Sequence, residues 1–278
     1  MSDVLKLFNK SLNAAMPKRL LSNFLGVDDN YLILGEKSRV LKKNLKIISF
    51  GKAGGSMIEA FINKVGEQHI LDALVVYPEN LPKPNININN KNIIPSSHPY
   101  VTYKSVFAGD KIIEFSNKCS ASQTVFCLVS GGGSALIASP IRKVNFEDKI
   151  NLINNLIKKG IGEREVNIIR KKLSNIKGGS LAEKIFPSQI INLILSDERN
   201  HQIEAIASGP TVFNKSKMTS LDIIEKNNLW DLIPSNMHQI FYSKKDSGIS
   251  EKLNIKNYII GSRENVLEEI SKSAKKLV

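Results

Sequence analysis

The stretch Thr124–Ser134, TVFCLVSGGGS, decides the fold. Its first six residues are apolar or β-branched without alternation, the pattern of a strand buried on both faces of a parallel sheet. Three glycines follow, which let the backbone take positive φ and approach a ligand closely. Successive N–H groups there, and a helix starting at Ser134, turn donors and a positive dipole toward an anion. Ser130, Gly131, Gly132, Gly133 and Ser134 are therefore candidate ligand-binding residues.

The same grammar recurs on both sides. LKIISF (45–50) runs into Gly51-Lys52-Ala53-Gly54-Gly55-Ser56, and IINLIL (190–195) runs into Ser196-Asp197. LDALVVY (71–77), the short Ile93–Ile94 and YII (258–260) are further strand candidates. Helical spacing fills the intervals at 55–65, 103–115, 146–159, 163–173 and 265–278, with weaker patterns at 221–227 and 235–242. The opening residues, 1–25, read as one amphipathic helix. Strands alternating with helices predict an α/β protein: a doubly wound, mostly parallel sheet with helices on both faces, Rossmann-like. In such sheets the loops at the carboxyl ends of strands converge on one crevice.

Several side chains are thereby drawn to one place. Lys52 suits a phosphate as a point charge. Asp197 suits magnesium, or the proton of a substrate hydroxyl. Gly54 and Gly55 extend the first loop, Lys177-Gly178-Gly179-Ser180 precedes the helix LAEKI, and Ser208-Gly209-Pro210-Thr211 closes a loop after IINLIL. Arg170 ends a helix beside Lys171 and Lys172, where cations also suit the helix dipole.

Composition narrows the function. The chain has 278 residues, is 42% hydrophobic and carries a formal charge of +13. The lysines are dispersed, aromatics are 6%, and no nucleic-acid motif occurs, so a small anionic substrate is the expected partner rather than nucleic acid. No apolar run reaches the roughly 18 residues of a membrane span, and the N-terminus lacks a signal-peptide core. The expected location is cytoplasmic. Cys119 and Cys127 read as two reduced, buried thiols.

Named motifs exclude other chemistries. No Walker P-loop and no H-E-x-x-H occurs. Gly131 and Gly133 are followed by Leu136 where a dinucleotide fingerprint needs its third glycine. Gly132-Gly133-Ser134-Ala135-Leu136 lacks the last glycine of a nucleophile elbow, which leaves a Ser134 hydrolase using His98 or His201 as a remote reading.

The segments GKAGGSM (51–57), SHP (97–99), LVSGGGSALIASP (128–140), NIIRKKLSNIKGGSLA (167–182), LILSD (193–197) and IASGPT (206–211), in this order, resemble the glycerate 2-kinase family. That family pairs a Rossmann-like DUF4147 domain with a C-terminal MOFRL domain. The resemblance covers most of residues 1–262. It implies ATP-dependent phosphorylation of glycerate with Mg²⁺. Lys52 and Asp197 would be catalytic, Asp197 also the metal ligand, and the glycine-rich loops, Arg170, Lys177, Ser208 and Gly209 would bind substrate or nucleotide. It divides the chain into a domain at 1–255 and the beginning of a MOFRL-like domain at 256–278. A separate MOFRL polypeptide, or a homodimer, would then be the protein partner. The sequence departs from the family at Glu198–Gln202, which lacks a Gly-Asp-Asp portion, and at Lys172, which replaces a histidine. The family's second domain also supplies an arginine to the active site. The alternatives are a catalytically inactive anion-binding remnant and a hydroxypyruvate reductase. The missing dinucleotide fingerprint weighs against the reductase.

Overall fold

The computed structural model describes residues 3–36, 38–198, 202–213, 218–243 and 250–275. Two helices, α1 (Asp3–Ala15) and α2 (Pro17–Phe24), open the chain where one was expected. Pro17 is the reason: it takes the first position of α2, where its missing N–H costs nothing, but it cannot continue α1. An antiparallel meander follows: β1 (Leu25–Val27), β2 (Tyr31–Leu34) and β3 (Ser38–Leu41).

The main sheet is built from β4 (Leu45–Phe50), β5 (Ile70–Pro78), β6 (Lys91–Ser96), β7 (Thr124–Ser130), β8 (Gln189–Leu195) and β9 (Ile255–Gly261). The connecting helices are α3 (Gly54–Val65), α4 (Tyr103–Ser116), α5 (Gly133–Leu136), α6 (Phe146–Lys158), α7 (Glu163–Lys172), α8 (Ser180–Ile185), α9 (Ser220–Lys226), α10 (Ser235–Tyr242) and α11 (Arg263–Ala274). All pairings in this sheet are parallel, in the order β6-β5-β4-β7-β8-β9. Counted along the sheet's own strands this is 3-2-1-4-5-6, the doubly wound order, with its reversal between β4 and β7. Those two strands carry the glycine loops.

The continuous apolar runs are explained by burial on both faces. Every residue of β4 is buried. One face packs Ile47, Val75, Phe126 and Leu193 against Met57, Phe61 and Val65 of α3, with the Phe61 and Phe126 rings 4.7 Å apart. The other packs Ile48, Leu74, Cys127 and Val129 against Ile112 of α4 and Leu181 of α8. A third core lies apart from the sheet: Leu152, Leu156, Ile169, Ile223, Met237 and Phe241 join α6, α7, α9 and α10 into a helical lobe.

The described part of the stretch expected to open a second domain, residues 256–275, begins inside β9, the sixth strand of this sheet, and continues into α11, which packs on α1. Both cysteines are free; Cys127 is buried, whereas Cys119 is partly exposed, contrary to its expected burial.

Candidate functional site

At the reversal point the loops after β4, β7 and β8 meet. Lys52 N–H donates to the Gly131 carbonyl (2.8 Å), and Ala53 N–H donates to Ser130 Oγ (3.0 Å). Gly51, at φ +116°, leaves no room for a side chain: a Cβ there would lie 2.2 Å from Ser130 Oγ. The Lys52 ammonium stands 3.3 Å from Asp197 Oδ2. Gly131 is the floor beneath that carboxylate, since a Cβ on it would come within 1.8 Å of Asp197 Oδ2. Gly132, left-handed at φ +81°, faces His98 and Lys52; its Cβ would be 2.7 Å from His98 Nε2. Burial, and secondarily the Lys52 charge, hold the His98 imidazole below its ordinary pKa, so it stands neutral beside the lysine.

A second cluster adjoins the first through Ser134. Its hydroxyl pairs with Ser208 Oγ (2.8 Å), and the Lys177 ammonium reaches both Ser134 O (2.9 Å) and Ser134 Oγ (2.6 Å). That arrangement replaces the histidine a Ser134 hydrolase would need; His201 lies outside the described residues. The segments 177–181 and 208–210 lock together by backbone bonds: Gly178 N–H to Ser208 O, Gly179 N–H to Gly209 O and Leu181 N–H to Pro210 O. Ala207 and Ser208 hold left-handed φ of 52° and 66° without being glycine. Such backbone costs on the order of 1–3 kcal/mol and persists only where surrounding contacts fix it.

Lys177 is 3% exposed. Burial first, then the charges of Lys149, Arg170 and Lys171, hold its ammonium well below the ordinary lysine pKa. Lys149, also buried, donates to Leu173 O (2.8 Å), and Arg170 donates to Asn167 Oδ1 (2.7 Å). Gly54 and Gly55 serve differently. Gly54 is buried at the start of α3, where Ser49 Oγ donates to its carbonyl; Gly55 lies against Pro84.

Cavities open onto this rim. One of about 370 Å³ opens from Ser134 between the sheet and the helical lobe, and includes Lys149, Arg170 and Lys177. One of about 220 Å³ holds Lys52, Gly55, Glu59 and Lys83. One of about 210 Å³ holds Asp197, Gly261 and Arg263. Among the described residues no group of three or more His, Cys, Asp or Glu side chains gathers in metal-binding fashion. Most of the altered 198–202 loop lies outside the described residues.

Sequence reasoning gave Lys149 no place in this site, and His98 only a remote one as the partner of a Ser134 hydrolase. Lys149 had a signal: it shares the inward face of α6 with Leu152, Ile153 and Leu156 at spacings of three, four and seven. His98 follows β6, whose two-residue apolar core is a weak strand signal.

With this geometry in hand, the family model named "Domain of unknown function (DUF4147)" matches residues 3–242. The chain belongs to the DUF4147 family. Among curated relatives, "Glycerate 2-kinase" of Pyrococcus horikoshii is 29% identical over 279 residues, covering 98% of this chain and 62% of that protein. "Glycerate kinase" of Rattus norvegicus is 31% identical over 290 residues, covering 98% and 55%. A solved glycerate kinase from Thermotoga maritima superposes with a TM-score of 0.83 at 25% identity, covering 99% of this chain and 62% of that one. This DUF4147 chain thus spans little more than half the length of these relatives. Among its described residues, no helix is long and apolar enough to cross a membrane.

Proposed function

We propose that this chain carries the Rossmann-like half of an ATP-dependent glycerate kinase. The observation that carries the reading is the Lys52–Asp197 pair, 3.3 Å apart on the floor of the three-glycine loop. The names of its relatives, glycerate kinases over nearly the whole chain, support it.

Phosphoryl transfer asks a protein for positioning and charge rather than covalent chemistry. Lys52 and the Gly131–Ser134 amides offset charge on the transferring phosphoryl group. Asp197 accepts the proton of the glycerate hydroxyl that attacks the terminal phosphorus. His98, neutral, leaves the lysine as the positive charge at that point. Mg²⁺ fits this donor set: magnesium is commonly held by one or two carboxylates plus phosphate oxygens, and Asp197 is a half-exposed carboxylate with a bare glycine beneath it. Bound there, it would neutralise phosphate charge. The remaining groups of the cleft would come from a MOFRL-type domain, as the family resemblance implies.

The test is a coupled assay of ATP turnover with D-glycerate, with and without a MOFRL-domain polypeptide. Phosphoglycerate formed in either condition supports the kinase. Ligand binding without turnover in both assigns the chain to the anion-binding alternative.

A further inference from the structure

We propose that the cavity between α6 and the 99–101 segment is the nucleotide subsite, with the base against its apolar wall and the phosphates on Arg170 and Lys177. The inference rests on the kinase reading and says which of these cavities takes the nucleotide.

Charge separates them first. The 370 Å³ cavity is lined by Lys149, Arg170 and Lys177, and no carboxylate lines it among the described residues. The two smaller cavities each carry an acid, Glu59 in one and Asp197 in the other. A polyphosphate therefore meets only basic side chains along the first, whereas in either of the others it faces a carboxylate unless a metal ion lies between them. Lys177, Lys149 and Arg170 bring three basic side chains to one wall of this cavity, and the Lys177 ammonium is fixed there by Ser134 O and Oγ.

Size and wall chemistry agree. About 370 Å³ lies within the ordinary range for small-molecule sites. Val101, Ala138, Phe146, Ile150, Ile153 and Ile157 make most of the wall apolar. A three-carbon hydroxy acid has no surface to cover such a wall; a planar base does. Tyr100, at the same cavity, is 80% exposed, which leaves an aromatic face open for a base to stack on. The cavity reaches Ser134, and Ser134 ends the loop on which Lys52 and Asp197 converge. A nucleotide with its base at α6 and its phosphates on Arg170 and Lys177 thus has its terminal phosphate directed along the glycine loop toward Lys52.

Calorimetric titration of the full chain with MgADP, and separately with D-glycerate, tests this. Tyr100→Ala and Ile157→Glu change residues that are 80% and 54% exposed, so neither endangers the core. Each is expected to weaken MgADP binding by about fivefold or more, the lower end of what a lost base stack costs. Arg170→Gln is expected to weaken it at least tenfold. D-glycerate affinity should stay within twofold in Tyr100→Ala and Ile157→Glu, and circular dichroism should match the wild type.

MgADP binding that ignores all three variants overturns the assignment. If it responds instead to Lys83→Ala, the kinase reading survives with its nucleotide elsewhere. A loss of D-glycerate affinity in Arg170→Gln with MgADP unchanged overturns it by exchanging the two subsites. A wild-type chain that binds D-glycerate but no MgADP overturns it alone, and one that binds neither removes the kinase reading with it.

Discussion

Lys52 and Asp197 are 53% and 47% exposed, and exposed ion pairs contribute about 0–1 kcal/mol to stability. The pair is therefore not there to hold the fold. Lys52→Met should leave the melting temperature almost unchanged while lowering kcat by about 10²- to 10³-fold, the usual cost of one preorganised charge; paired thermal melts and coupled kinetics check both halves. Gly131→Ala should also abolish turnover, because its Cβ would occupy a position 1.8 Å from Asp197 Oδ2 and drive the carboxylate away. Lys177 makes its own contribution to the pH dependence of stability. Its native pKa is depressed by burial and by Lys149, Arg170 and Lys171. Between that value and the ordinary 10.5 the unfolded chain binds a proton that the native chain lacks, so rising pH favours the native state through that window. Urea melts of the wild type from pH 7 to 10 should show this upward contribution, and Lys177→Met should lack it. An equal pH slope in both proteins would count against a desolvated lysine.

The elements that sequence foretold are those whose burial is continuous. LKIISF became β4 residue for residue, and TVFCLV became β7 with Ser130 added, because both faces of these strands are covered and the apolar signal is unbroken. The meander β1–β3 left no comparable trace: its strands have three or four residues and mix exposed with buried positions. Ser235–Tyr242, a weak helical pattern, formed as read. Its apolar residues point into a lobe core whose existence no single segment announces. The site was legible to the same degree. Glycines and Lys52 advertise themselves beside strands, whereas Lys149 needed the tertiary arrangement to acquire a role, and His98, read only as a remote hydrolase partner, needed it to come beside Lys52. At this scale Gly109 of α4 makes a sharp prediction. Gly→Ala inside a helix ordinarily gains about 1 kcal/mol. Here the added methyl would lie 2.1 Å from the Ala138 carbonyl oxygen. Overpacking costs of about 1–3 kcal/mol should match or outweigh that gain. Chemical denaturation should show Gly109→Ala at or below the wild-type stability; a rise of a full kcal/mol would mean α4 yields freely.

Across the whole molecule, two hydrophobic cores flank the sheet and a third belongs to the helical lobe, with the 370 Å³ cavity where that lobe meets the sheet. A ligand filling that junction binds the native state only, so a hundredfold excess over its Kd should add about 2.7 kcal/mol to stability. A thermal-shift titration with MgADP measures it, and Tyr100→Ala should move the curve to higher ligand concentration.

The left-handed Ala207 and Ser208 have a bearing on how this half of the protein keeps its shape. Their backbone is bent against its own preference and is pinned by the turn at 178–181, some thirty residues earlier in the chain. The two strips behave like opposing stones of an arch, each upright only because the other leans on it. Remove the 178–181 abutment, and residues 207–209 are free to spring back to ordinary geometry, withdrawing the Ser208 hydroxyl from Ser134 and dismantling the cradle from its far side.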